Sequence, residues 1–205
     1  MLAMPFQKGY EDNVPKDSGA DAAKKILEEA GYTKSGDFYQ KDGKTAGFSI
    51  TTFGSDTVTQ AKFQRIEQQL KQAGIKVTND NQPESNFNSV VGTKSYDCTL
   101  SGWAVGAIMA DSPQYFYTKD INNGVGDDEI DKLIAKISAT ESKDEQIKLA
   151  NQVEKLHMEK VAIYLPFANG PSYSAVKSKL ANYGPRLFQT SYTDANLWVN
   201  VGWQE

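Results

Sequence analysis

Gly47-Phe48-Ser49-Ile50-Thr51-Thr52-Phe53, then Gly54-Ser55-Asp56, then a run to Ala73-Gly74 and at once Ile75-Lys76-Val77: this stretch decides the fold. Alternation places Ala46, Phe48 and Ile50 on one face, the pattern of a half-buried strand. Gly54-Ser55-Asp56 offers a helix cap, and Phe63, Ile66, Leu70 and Ala73 recur behind it at helical spacing. Gly74 stops that helix, and a new strand opens at Ile75 with no room for a loop. Strand, helix and strand with joins this short form the crossover unit of a parallel sheet, and the connection is expected to be right-handed.

Upstream of it, Met1 to Pro15 reads as a proline-bounded irregular segment with neither the basic region nor the apolar core of an export signal, as at an internal boundary. Asp17 or Ser18 is positioned to cap a helix carrying Ala23, Ile26, Leu27 and Ala30, which Gly31 ends. Asp42-Gly43 predicts a two-residue hairpin turn, with the second strand running on through Phe48 to Phe53. Downstream, a polar run from Thr78 to Ser85 leads to a short helix around Phe87 to Val91 and a strand from Tyr96 to Leu100, in which Cys98 reads as a small buried hydrophobe.

That strand ends at Gly102-Trp103-Ala104, just past the carboxyl end of a sheet strand, where open α/β sheets bind ligands. A glycine leaves the main chain open to approach, and an indole provides an apolar wall with one N–H donor. The competing reading is a core tryptophan; the position at a strand's carboxyl end favours the wall. Tyr115-Phe116-Tyr117, beyond Asp111-Ser112-Pro113, reads equally as a helical turn or a second aromatic wall. The run Asp120 to Asp128 fails as a calcium loop, since its fifth and sixth positions are Gly124 and Val125. Asp127 or Asp128 instead caps a helix with Ile130, Leu133, Ile134 and Ile137 on its core face, and Ser142-Lys143-Asp144-Glu145 opens another through Leu149, Val153, Leu156 and Lys160. The two are expected to pair as an antiparallel hairpin. His157, the sole histidine, lies near that apolar stripe and reads as structural, with no nucleophile motif to serve. Val161 to Phe167 reads as a buried strand and Tyr173 to Val176 as a short one, with Trp198 and Trp203 as packing residues.

Composition narrows the class. At 205 residues the chain has the length for one large domain or two small ones. A formal charge of −4 with interspersed signs and only two arginines supplies no nucleic-acid surface. One cysteine rules out an intrachain disulfide and a cysteine-based zinc cluster. No run approaches the length of a transmembrane helix. Scattered acids such as Asp97 and Asp111 make no convergent catalytic group, so a hydrolase is disfavoured, as is a stand-alone interaction module.

Six segments, in order, carry a family likeness: Asp21 to Tyr32 with its Ala-Gly-Tyr ending, Asp42-Gly43-Lys44, Gln69 to Val77, Tyr96-Asp97 to Gly102-Trp103, Ile130 to Ile134, and Val161 to Pro166. Together they make the chain resemble the carboxyl-terminal lobe of the family-five extracellular solute-binding proteins, the capturing subunits of bacterial ABC importers. The resemblance implies an α/β fold, one lobe of a type II periplasmic-binding-protein-like clamp, with a mixed, mostly parallel sheet flanked by helices. Residues 1–205 would form that single lobe, with 1–16 and about 190–205 hinge-proximal or peripheral, and a missing amino-terminal lobe would close over the ligand. It implies a monomer without cofactor, metal or catalytic residues, at the extracellular face as a tethered lipoprotein or in the periplasm, delivering peptide to permease subunits. It carries ligand contacts onto Gly102 and Ala104 through their backbone and Trp103 through its ring. One departure stands out: where peptide-binding relatives place an aspartate after the tryptophan to meet the ligand's ammonium, this chain has Gly106. Asp111, in a longer loop, is the candidate to replace it, and an oligosaccharide ligand stays open.

Overall fold

The computed structural model describes residues 3–102, 109–166, 175–183 and 199–204, and contacts divide the chain into two compact units, 16–102 and 1–15 with 103–205.

In the first unit, helix α1 (Ala20–Glu29) is capped by Gly19 with no side-chain bond, not by Asp17 or Ser18. It ends as expected at Gly31, whose left-handed backbone lets Tyr32 N donate back to Leu27 O. Its apolar stripe is only half used, since no residue of α1 is buried and Ile26 is 63 % exposed. Strands β1 (Thr33–Ser35), β2 (Phe38–Lys41) and β3 (Lys44–Thr45) make a small antiparallel sheet. Asp42 and Gly43 both take positive φ, the requirement of a type I′ turn, so that Lys41 faces Lys44.

The hairpin's second strand does not run on unbroken. Ala46 N donates to Tyr39 O in the hairpin, while Ala46 O accepts from Lys76 N. The chain therefore leaves one sheet and enters another at this residue. There β4 (Gly47–Phe53) stands between β5 (Lys76–Gln82) and β6 (Cys98–Thr99), parallel to both. Helix α2 (Thr57–Gln72) connects β4 to β5, as its caps predict: Asp56 accepts from Thr59 N at 2.7 Å, and Gly74 turns the chain with φ 79°. Phe63, Ile50 and Val77 form the core between helix and sheet, with Phe48, Ile66, Leu70 and Leu100 packed against it. The polar run after Val77 is strand as far as Gln82, since Thr78 to Gln82 continue β5 in register with Ser49 to Phe53. Helix α3 (Phe87–Thr93) then leads to β6, which is shorter than the Tyr96–Leu100 strand expected. Cys98 is exposed rather than buried, since a two-residue edge strand covers it only in part.

In the second unit, the short helix α4 (Pro113–Phe116) precedes α5 (Asp128–Ser138) and α6 (Lys143–Leu156). Asp127 caps α5 through Glu129 N at 2.8 Å, and Ser142 caps α6 through Glu145 N. The helices run antiparallel. Lys160, beyond the end of α6, reaches Glu129 at the start of α5, while Gln146 near the start of α6 donates to Ile137 O. Between them Ile130, Ile134, Ile137, Leu149, Ala150 and Val153 are buried together with Met109, Ala110 and Tyr117.

The expected strand at Val161 to Phe167 is absent from its described part. His157–Val161 instead form a π-helical turn, closed by Ala162 N donating to His157 O at 2.7 Å. The next two amides, Ile163 N and Tyr164 N, donate to His157 Nε2 at 3.1 and 3.4 Å, so the histidine takes the bonds a neighbouring strand would have received. Ala175 and Val176 are likewise outside any strand. Strands β7 (Leu180–Ala181) and β8 (Gly202–Trp203) pair antiparallel. Trp203 does not pack in a core: it is 65 % exposed, with Lys177 Nζ 6.0 Å from its ring centre. Trp198 lies outside the described residues.

Candidate functional site

Three parallel strands point their carboxyl ends in one direction, and the order β5-β4-β6 places the first strand in the middle. The last residues of this sheet are polar, and only the central strand β4 is buried there. Thr51 and Thr52 are wholly buried yet satisfied: Thr51 Oγ1 donates to the Asp80 carboxylate at 3.1 Å and Thr52 Oγ1 to Asn79 Oδ1 at 2.8 Å. Asn79 in turn donates to Gln60 of α2, and Gln82 Nε2 to Asp80. Phe53 closes the end of β4 edge to face against Phe87 of α3, with ring centres 5.1 Å apart. Internal bonding of this kind holds the strand ends still without an apolar cover.

β6 is fixed to β4 at both ends. Before it, Asp97 accepts from Ser49 N at 2.8 Å and from Ser49 Oγ at 2.7 Å, and these two bonds, the backbone one first, hold its carboxyl below the usual range. After it, Leu100 N donates to Thr51 O and its side chain joins the α2 core. The chain then emerges as Ser101 and Gly102, both exposed, and among the described residues a Cβ placed on Gly102 would meet no atom within 4 Å. Gly102 is thus exposed main chain just past the carboxyl end of β6.

Trp103 and Ala104 lie outside the described residues. Asp111 belongs to the other unit, whereas Gly102 closes the first. It ends the single turn Met109–Asp111 and is exposed between buried Ala110 and Ser112, with its main-chain carbonyl accepting from Gln114 Nε2. Tyr115 to Tyr117 resolve as the helical turn: Tyr117 is buried and stacks on His157 at 4.1 Å, while Tyr115 is exposed. Burial pushes the Tyr117 phenol up and the His157 imidazole down to about 4. Among the described residues no group of His, Cys, Asp and Glu is arranged to hold a metal ion, and no helix is long and apolar enough to cross a membrane.

The polar ends of β4 and β5 are not evident from local sequence pattern. A signal was present: a seven-residue strand such as Gly47 to Phe53 needs a partner of equal length, and only Lys76 to Gln82 can supply it across a short crossover.

The family profile described as bacterial extracellular solute-binding proteins, family 5 Middle, matches residues 2–127, well over half of the chain. The chain belongs to this family. Among relatives, the oligopeptide-binding protein OppA of Mycobacterium tuberculosis is 31 % identical over 188 residues, 87 % of this chain and 31 % of OppA. The oligopeptide-binding protein AppA of Bacillus subtilis, solved with a nonapeptide, superposes with a TM-score of 0.62 at 22 % identity, over 76 % of this chain and 33 % of AppA. A mannohexaose-bound oligopeptide-binding protein of Thermotoga maritima gives a TM-score of 0.63 at 17 % identity, over 76 % of this chain and 33 % of that protein. These likenesses show a periplasmic-binding-protein fold, and this family 5 chain spans about a third of the length of such relatives.

Proposed function

We propose that the chain is one lobe of the two-lobed solute-binding subunit of a bacterial ABC importer, and that the whole protein captures oligopeptides outside the membrane and hands them unchanged to permease subunits. The observation that carries this reading is Gly102, exposed main chain at the carboxyl end of the parallel sheet in a chain 31 % identical to an oligopeptide-binding protein. In this reading Gly102 and Ala104 pair with an extended ligand through their backbone, and Trp103 packs on a ligand side chain. Asp111 stands in for the acid that Gly106 does not supply. The protein works as a monomer, tethered as a lipoprotein or free in a periplasm, without cofactor.

A second reading, oligosaccharide capture by the same clamp, is favoured by one feature: a neutral sugar needs no acid at position 106, and a fold relative is bound to mannohexaose.

A single lobe leaves half the enclosing contacts unmade, so if the complete clamp bound at about 1 μM, roughly −8 kcal/mol, half of that energy leaves millimolar affinity. Calorimetric titration of the chain with peptide and with oligosaccharide pools tests the reading. Millimolar heats with peptides, lost in Trp103→Ala, are expected; heats with sugars alone would select the second reading. Micromolar binding would overturn the one-lobe assignment, and no binding of either pool the capture role.

A further inference from the structure

At the amino end of the same sheet, away from Gly102, lies a cavity of about 300 Å³ lined by Thr45, Gly47, Phe48, Ser49, Lys76, Thr78 and Asp97. Its volume is at the lower bound of small-molecule sites. Two charges of opposite sign share this cavity without pairing. Both Ser49 bonds to Asp97 end on Oδ2, which leaves Oδ1 uncommitted among the described residues. Lys76 is held by its backbone, through Lys76 N to Ala46 O, while its ammonium makes no ion pair with any described residue.

Neither charge is loosely placed at its root. Asp97 is fixed by the Ser49 amide and hydroxyl, and Lys76 sits in register opposite Gly47. Gly47 itself has no room for a side chain, because a Cβ there would run into Lys76 O, so this side of the cavity stays bare backbone. Around the charges stand the hydroxyls of Thr45 and Thr78, short groups that can donate or accept, and that of Ser49, whose proton goes to Asp97 and whose oxygen is left to accept.

From this arrangement we infer a second binding site, separate from the strand-end site, that takes a small zwitterion of the α-amino acid class. The carboxylate of the ligand meets Lys76, its ammonium meets Asp97 Oδ1, and the hydroxyls satisfy what remains. A singly charged molecule would engage only one end and leave the other wall charge as it was. The site is open and both charged side chains are exposed, so affinity is expected in the millimolar range.

The test is titration of the chain with L-alanine, followed by the backbone amide signals of residues 45–49, 76–78 and 97, with acetate and methylamine as single-charge controls. Saturable shifts with alanine below tens of millimolar are expected, with acetate and methylamine each about tenfold weaker. Lys76→Met and Asp97→Asn are each expected to weaken alanine by about tenfold. Lys76→Met is the decisive variant, since it removes an unpaired side chain, whereas Asp97→Asn also touches the bonds to Ser49. The inference is overturned if alanine moves none of these signals, if acetate alone matches it, or if Lys76→Met binds alanine as tightly as the parent. None of these results bears on peptide capture at Gly102, which is read separately in Trp103→Ala.

Discussion

His157 gives the structure its most exacting test, because it is the only histidine in the chain and is completely buried. Its Nε2 accepts two main-chain amides, which requires the neutral ring, and burial lowers its pKa from 6.5 to about 4. The direction of the linkage follows. Below 6.5 the unfolded chain takes up a proton that the folded chain refuses, so stability falls as pH drops and levels off only below about 4. The gap is worth about 3 kcal/mol once pH is under both values, and about 2 kcal/mol is already lost between about pH 7 and about pH 5. Urea unfolding followed by the amide signals of α5 and α6 at those two pH values measures the loss. Carboxylates contribute to it as well, so the same pair of measurements on His157→Gln, which keeps an acceptor and removes the titration, gives the share that belongs to the imidazole. The parent should lose about 2 kcal/mol more than the variant. Equal losses would refute the buried neutral ring, as would a histidine ring titrating near 6.5 by NMR in the folded chain.

Two local substitutions probe the crossover. Asp56→Ala removes the cap of α2 and is expected to cost about 1 kcal/mol in urea unfolding of residues 16–102, whereas Asp56→Asn should retain most of it. Gly74→Ala places a methyl 2.5 Å from Tyr39 Cδ2 on a backbone at φ 79°. Clash and strain together should cost about 2 to 3 kcal/mol, and a loss under half a kilocalorie would mean that the turn is free to rearrange.

What could be read from the residues alone was whatever they determine locally. Asp56, Asp127 and Ser142 cap the helices they precede, Gly31 and Gly74 end theirs, and Asp42-Gly43 turns the hairpin, because each needs only neighbours a few residues away. The features that went unread depend on distant partners. Ala46 changes sheets because Lys76, thirty residues on, bonds its carbonyl. Thr78 to Gln82 form a strand despite their polarity because Thr51 and Thr52 accept them as neighbours. Val161 to Pro166 have the composition of a strand, but His157 captures their amides first. Gly102 was legible as open backbone from its lack of a side chain and its place after a strand. The position of Asp111 was not, since it follows from a turn whose neighbours, Met109 and Ala110, are anchored in a helical core.

The exposure of Cys98 has a practical use. As the single thiol of the chain, on the strand that runs from Asp97 toward Gly102, it is a ready-made attachment point for a fluorophore or spin label. Partial burial raises its pKa, so coupling will run best in mildly alkaline buffer. One label there would respond to occupancy at either end of the strand with no engineered cysteine.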